Sequence, residues 1–336
     1  MTILVTGANG LLGGYLVAAL QERGDGVRAL ALPGEDVGWL EERGVVVYSG
    51  DIRRPETLGE PMQDVDAVFH LAALMGVWRP LSEYHAVNVT GTENVCRAAL
   101  NAGVRRLVHI SSAIVYRMSG PNAATEDDPL TPLPEPYALT KAEGDRLVQR
   151  LIAEEGLPAV IIRPSVFFGP GDRLNFGRIA DRIGAGKAIV VGTGGNAVPF
   201  VYVTDVVRGL LLALDDDRAV GQAYNIGNDQ PLTQQELLGA IAEEIGARPP
   251  RIHVPYRLLY SVAWGSERWS AAGNYRFQPL ATRHGVTLYG ANNRVSNEKA
   301  RRDLSYEPRV PLRKGIQLTA AWYRRSQRGL PDVRTT

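Results

Sequence analysis

The chain has 336 residues, 45% of them hydrophobic and 22% charged, enough apolar side chain to bury a sizeable core and too much for a disordered segment. Thirty-seven basic against 36 acidic residues leave a formal net charge of +1, which gives nucleic acid or anionic lipid no general attraction, so any polyanion binding would have to be local. A lone cysteine, Cys96, excludes an intrachain disulfide, and His70, His85, His109, His253 and His284 are never three or four apart, so no helical face offers two imidazoles to a metal.

The first residues, Thr2-Ile3-Leu4-Val5-Thr6, show no basic leader or apolar stretch of secretory length and are expected as a buried strand of a cytoplasmic protein. No window nears the roughly 18 apolar residues of a transmembrane span. Short β-branched runs then alternate with helical patterns. Strands are expected at residues 3–6, 27–32, 45–49, 67–71, 106–111 and 159–163, and crossover helices at 11–23, 85–102 and 137–155. That alternation predicts an α/β fold: a Rossmann-type doubly wound parallel sheet, which binds ligands at the carboxyl ends of its strands, with a smaller C-terminal substrate-binding lobe.

Beyond Arg163 the rhythm changes. Residues 164–172 are rich in Gly and Pro, 176–186 read helical, 188–191 extended, and 201–214 as a strand running into a helix. Thr233 with Glu236 three residues on forms a capping box for a helix over 233–245. Residues 1–163 are therefore expected as a dinucleotide domain to which 201–228 return, 164–200 and 229–325 as the second lobe, and 326–336 as a tail.

Thr6-Gly7-Ala8-Asn9-Gly10-Leu11-Leu12-Gly13 links the first strand to the first helix. Gly7 permits a tight turn, Gly10 lets the backbone approach a pyrophosphate, and Gly13 lets helix and strand pack closely, with free N–H groups at the helix start for phosphate oxygens. In this spacing the chain resembles the extended short-chain dehydrogenase/reductases, and the resemblance runs along nearly its whole length. It implies that Asp51, in Gly50-Asp51-Ile52, meets the adenine amine, that Leu71-Ala72-Ala73 line the phosphates and ribose, and that Asn88, in Asn88-Val89-Thr90-Gly91-Thr92, supports the sheet end beside the cofactor. Members of this family that use NAD place an acid at the end of strand two, whereas NADP users tend to place an arginine; here the residues are Ala31 and Leu32, followed by Glu35 and Asp36. Two acids and no base favour NAD over NADP.

Tyr137 and Lys141 stand one helical turn apart after the turn-rich residues 132–136, so phenol and ammonium share a face, where the cation is expected to lower the phenol's pKa. Ser111-Ser112 follow the fifth strand and end at the same rim. The resemblance makes Ser112, Tyr137 and Lys141 the catalytic set: Ser112 holds the substrate oxygen, Tyr137 moves its proton, and Lys141 bonds the nicotinamide ribose, with Ser111 and Pro164 also beside the cofactor.

Three branches of the family compete. Sugar-nucleotide dehydratases carry a Thr-Asp-Glu set where this chain has Ser112-Ala113-Ile114. Nucleotide-sugar 4-epimerases place an Asn after the sixth strand and an Arg before a Val-Tyr-Val-like strand, where this chain has Ser165 and Val198-Pro199-Phe200. The stretches 163–172, 279–283 and 299–308 are most similar to the 3β-hydroxysteroid dehydrogenase-like group. This favours an NAD(P)-dependent oxidoreductase acting on a secondary alcohol or ketone of an apolar small molecule. An epimerase and a non-catalytic cofactor-binding subunit are the alternatives. Met75, Trp78, Ser112, Ile114, Tyr137, Ser165, Val166 and Phe167 are expected at the substrate, with residues 254–269 as an apolar wall. A homodimer through residues 83–102 and 137–155 is expected as in the family, with no nucleic-acid partner and no metal.

Overall fold

The computed structural model describes residues 1–116 and 122–328. Six of its strands lie where β-branched runs were expected: β1 (Thr2–Thr6), β2 (Gly26–Ala31), β3 (Val46–Ser49), β4 (Ala67–His70), β5 (Arg106–Ile110) and β6 (Ala159–Pro164). Two short strands, β7 (Val166–Phe168) and β9 (Phe200–Tyr202), pair outside the main sheet, as do β8 (Val190–Val191) and β11 (His253–Val254). A further strand, β10 (Ala223–Ile226), adds to the edge of β6 and completes a seven-stranded parallel sheet ordered β10-β6-β5-β4-β1-β2-β3. The order reverses between β1 and β4, where an open α/β sheet leaves a crevice beyond its strand ends.

The two-residue side-chain period sorts each strand between two cores. Ile3, Val5, Val108 and Ile162 pack against the helices Leu11–Glu22 and Val203–Asp215, with Leu16, Leu20, Val206 and Leu210 fully buried. Leu4, Val68, Leu107 and Ile161 face the helices Thr92–Asn101 and Pro136–Glu155. A third core gathers Phe168, Phe176, Phe200 and Tyr202 with Leu237, Ile241 and Ile316. Thr233 and Glu236 form the capping box expected of the Gln234–Ile245 helix.

Two differences from the sequence-based reading have local causes. The helix expected over 85–102 begins at Leu81 and is interrupted by a π-helical turn, Ala86–Gly91, which carries Asn88. The C-terminal Leu312–Gln327 helix extends through the first residues read as tail; 329–336 lie outside the described residues. Among the described residues no helix is long and apolar enough to cross a membrane.

Candidate active site

The carboxyl ends of β1, β4, β5 and β6 open on a cavity of about 730 Å³, lined from the glycine loop through Ser112, Tyr137 and Lys141 to Phe167 and Leu288. At one end the chain turns through Gly7 at φ +72°, where a Cβ would sit 2.8 Å from the Ala72 backbone nitrogen. A Cβ on Gly13 would lie 2.3 Å from the Gly7 carbonyl oxygen, so helix and strand meet without a side chain between them. The Leu11–Glu22 helix starts from Gly10 with no side-chain cap and no acid in its first turn. Its leading N–H groups are thus left to the cavity, a setting that suits a pyrophosphate.

The acid missing from the end of β2 comes from farther along. The Glu35 carboxylate lines the cavity, accepting hydrogen bonds from the Leu32 backbone N–H (3.1 Å) and the Asn9 amide (2.9 Å). Asn9 is itself fixed by the Trp39 indole, which donates to its Oδ1 at 2.6 Å. Sequence reasoning read Glu35 as a loop charge. Its signal was only the short Pro33-Gly34 turn, which folds the loop back. Asp36 is not among the cavity residues. Across the cavity, Asp51 is gripped by Arg53, whose Nε and Nη2 both bond the carboxylate; this hydrogen bonding, against the burial that opposes it, holds the Asp51 carboxyl below its ordinary range. A dinucleotide fits this lining: the helix start for its phosphates, Glu35 for a ribose diol, and Asp51 with Ile52 for the base.

Ser112 caps the turn after β5, its side chain accepting from the Ile114 N–H at 3.3 Å, and it lines the cavity together with the Tyr137 phenol. Burial, partly offset by the neighbouring Ser112 side chain and reinforced by Glu135 and Tyr84, holds the phenol well above its ordinary range. Lys141 donates to the Ile110 carbonyl at 2.5 Å; burial pulls its ammonium down to about 8 against the opposing charge of Asp145. Burial thus dominates the phenol here, and the Lys141 ammonium is held at the end of β5. Glu135, the N-cap of the Pro136–Glu155 helix, accepts from the Ala138 N–H at 2.6 Å, and burial lifts its carboxyl to about 7.

Of the residues expected at cofactor or substrate, all but two line the cavity. Asn88 is buried behind it, 1% exposed, and clamps Leu74 by accepting from its N–H (2.8 Å) and donating to its carbonyl (3.1 Å). Trp78 turns away to pack near Tyr275, with ring centroids 6.0 Å apart. The apolar wall expected from residues 254–269 is also absent from the cavity, because Leu258, Val262, Trp264 and Trp269 face solvent. The wall comes instead from Met75, Val166, Phe167, Leu174 and Leu288, with His284 one turn before Leu288. Burial drives the His284 imidazole down to about 4, so it is neutral near pH 7. Leu174, His284 and Leu288 come from segments far apart in the chain, and no local pattern marks them.

Residues 3–227 match the NAD dependent epimerase/dehydratase family. A 2-alkyl-3-oxoalkanoate reductase of Stenotrophomonas maltophilia is 33% identical over 94% of this chain and 98% of its own length. A 3-beta-hydroxysteroid dehydrogenase of Mycolicibacterium neoaurum is 32% identical, over 91% of this chain and 87% of its own. Among solved structures, gox2253 superposes with a TM-score of 0.82 at 30% identity, covering 97% of this chain and 99% of its own. DesIV, a dTDP-glucose 4,6-dehydratase of Streptomyces venezuelae solved with NAD and TYD bound, superposes at 0.79 with 27% identity, covering 98% and 99%. Glycine loop, sheet order and sequence relationship agree, and the chain belongs to the NAD-dependent epimerase/dehydratase family, the extended short-chain dehydrogenase/reductases.

Proposed function

We propose that this protein is an NAD-dependent oxidoreductase that interconverts a secondary alcohol and a ketone on an apolar small molecule. The observation that carries the reading is one cavity lined both by Ser112, Tyr137 and Lys141 and by the apolar side chains Val166, Phe167, Leu174 and Leu288. The names of the two relatives, a 3-oxoalkanoate reductase and a hydroxysteroid dehydrogenase, support it with ketone or alcohol carbons on largely hydrocarbon molecules. When bound, the nicotinamide supplies the hydride acceptor or donor. Ser112 holds the substrate oxygen. Tyr137, kept protonated by its surroundings, gives its proton to that oxygen in reduction and takes it back in oxidation. Lys141 anchors the ribose edge from the carbonyl end of β5, and His284 is the neutral polar group available to a second oxygen of the substrate.

Residues 1–163 and 201–228 form the dinucleotide-binding part of this proposal, and 164–200 with 229–325 the substrate lobe. Two copies pair through the helices within 83–102 and 137–155, which lie side by side with Arg97 bonded to both Glu93 and Glu155. Mass in solution tests that pairing. A substrate screen followed at the nicotinamide absorbance, setting long-chain and sterol-like ketones against UDP-sugars, tests the chemistry. Net cofactor turnover on the apolar ketones is expected. Sugar interconversion with no net cofactor turnover would instead identify an epimerase.

A further inference from the structure

We propose that the outer face of the Tyr256–Ala272 helix, with the loop that follows it, docks the protein on an anionic phospholipid bilayer and sets the cavity mouth against the lipid. The helix buries one stripe, Ala263, Glu267 and Ser270, and presents the opposite one to solvent. Leu258, Val262 and Trp269 recur there at spacings of four and seven, and Trp264, Phe277 and Leu280 extend the patch; Trp269 is 77% and Leu280 80% exposed. A single exposed leucine needs no explanation, but two tryptophans, a phenylalanine and three aliphatic side chains on one helix and its loop do.

Charge identifies the occupant. Although the whole chain carries a formal charge of only +1, residues 246–297 have seven arginines, no lysine and one acid. That acid, Glu267, is buried and bound to Arg283, so it does not offset the others at the surface. Arg268 holds its guanidinium 5.0 Å from the centre of the Trp264 ring, and Arg257 and Arg276 flank the patch. Aromatic and aliphatic side chains ringed by arginines suit the boundary between acyl chains and phosphate headgroups. A twofold contact of this face with a second copy would set the same arginines against one another.

The patch also continues to the cavity. Tyr275, in the loop after the helix, packs near Trp78, and the adjoining segment exposes Met75 and Val77. Met75 and the exposed Leu174 are both cavity residues, so the rim and the patch form a near-continuous apolar border. Docked this way, the protein takes an apolar substrate from the bilayer without passing it through water. This last step rests on the function proposed above; the docking does not.

The test is co-sedimentation of the full chain with vesicles of phosphatidylcholine, alone or with about one third phosphatidylglycerol, alongside turnover of a water-soluble short-chain ketone. Wild type is expected to bind the anionic vesicles about tenfold or more tightly than the neutral ones and to be released by high salt. The triple variant Trp269→Ser/Phe277→Ser/Leu280→Ser, and separately Arg257→Gln/Arg268→Gln/Arg276→Gln, should lose about tenfold in vesicle binding while keeping the wild-type unfolding midpoint and soluble turnover. Wild type left in the supernatant with both vesicles overturns the proposal, as does a variant that binds like wild type. Lipid-free self-association abolished by the aromatic triple variant would assign the face to a second copy instead. Vesicle binding without turnover of any ketone removes the proposed function and leaves the docking face; turnover without vesicle binding does the reverse.

Discussion

Arg163 and Asp145 form a bidentate ion pair sealed from water: Nε donates to Oδ2 and Nη2 to Oδ1, both at 2.8 Å, with side chains 2% and 0% exposed. Ser111 donates to the same carboxylate at 2.5 Å and Gln149 at 2.6 Å, while the third guanidinium nitrogen donates to the Tyr116 hydroxyl at 2.7 Å. The pair therefore ties the loop after β5 to the helix that carries Tyr137 and Lys141. Removing one charge strands the other in a dry interior, which costs about 3–5 kcal/mol. Asp145→Asn is expected to lower stability by that amount in a denaturant titration. Asp145 is also the charge that supports the Lys141 ammonium against burial, so the lysine should titrate lower still. A loss under about 1 kcal/mol would show that the network is not the brace described here.

The buried strands and the glycine loop were legible in the sequence because both signals are local. Ile3 and Val5 fall on one face and Leu4 on the other by a period of two, and Gly7 and Gly13 are required by backbone approaches within a few residues of each other or across one strand. Strand β10 was missed because Ala-Tyr-Asn-Ile is short and carries a polar Asn225, whose side-chain amide is held by Ala124 and Tyr116 from about a hundred residues away. The Tyr256–Ala272 helix misled for the opposite reason. Its apolar content was plain, but content does not say which way a stripe faces when no sheet lies above it. Trp78 and Glu35 are matters of loop direction, set by Tyr275 in one case and by Asn9 and Leu32 in the other.

Tyr137→Phe deletes the only atom through which this residue can move a proton and leaves the ring in place. Turnover is expected to fall by about two to four orders of magnitude, with the NAD dissociation constant changed by no more than a few fold. Steady-state kinetics alongside a binding titration checks both. Turnover within a few fold of wild type would show that the proton moves elsewhere.

Glu35 places a carboxylate in the cavity where the sequence at β2 offers only Ala31 and Leu32. If it accepts from the adenosine ribose diol, a 2′-phosphate must enter beside a negative charge. Glu35→Gln keeps an acceptor for the Leu32 N–H and removes the charge. The preference for NAD over NADP should then narrow by about tenfold, equal to about 1.4 kcal/mol, through better NADP binding. Dissociation constants for both cofactors in both proteins decide the matter: an unchanged ratio would show that Glu35 does not set it, and a wild type that binds NADP the tighter would place a base such as Arg53, on the Asp51 side of the cavity, at the 2′-phosphate.

Glu135 makes a pH prediction whose direction follows from burial. Its carboxyl is lifted from the ordinary 4.5 to about 7, so between those values the folded protein holds a proton that the unfolded chain has released. Stability from this group is complete below about pH 4.5 and is lost as pH rises through 7, by at most about 3 kcal/mol. Buried His70 and His284, pushed down to about 3 and about 4, act oppositely: the unfolded chain takes up their protons first, so acid destabilises the fold. Whole-protein stability therefore hides the Glu135 contribution, whereas the difference between Glu135→Gln and wild type isolates it. Glutamine can accept from the Ala138 N–H without a charge to bury, so the variant should gain stability relative to wild type as pH rises from about 4.5 to 7 and hold that gain above it. Chemical denaturation at four or five pH values measures the difference. A difference that stays flat with pH would mean that Glu135 remains ionised in the folded protein, its charge stabilised by the helix N–H groups it caps and by Arg283.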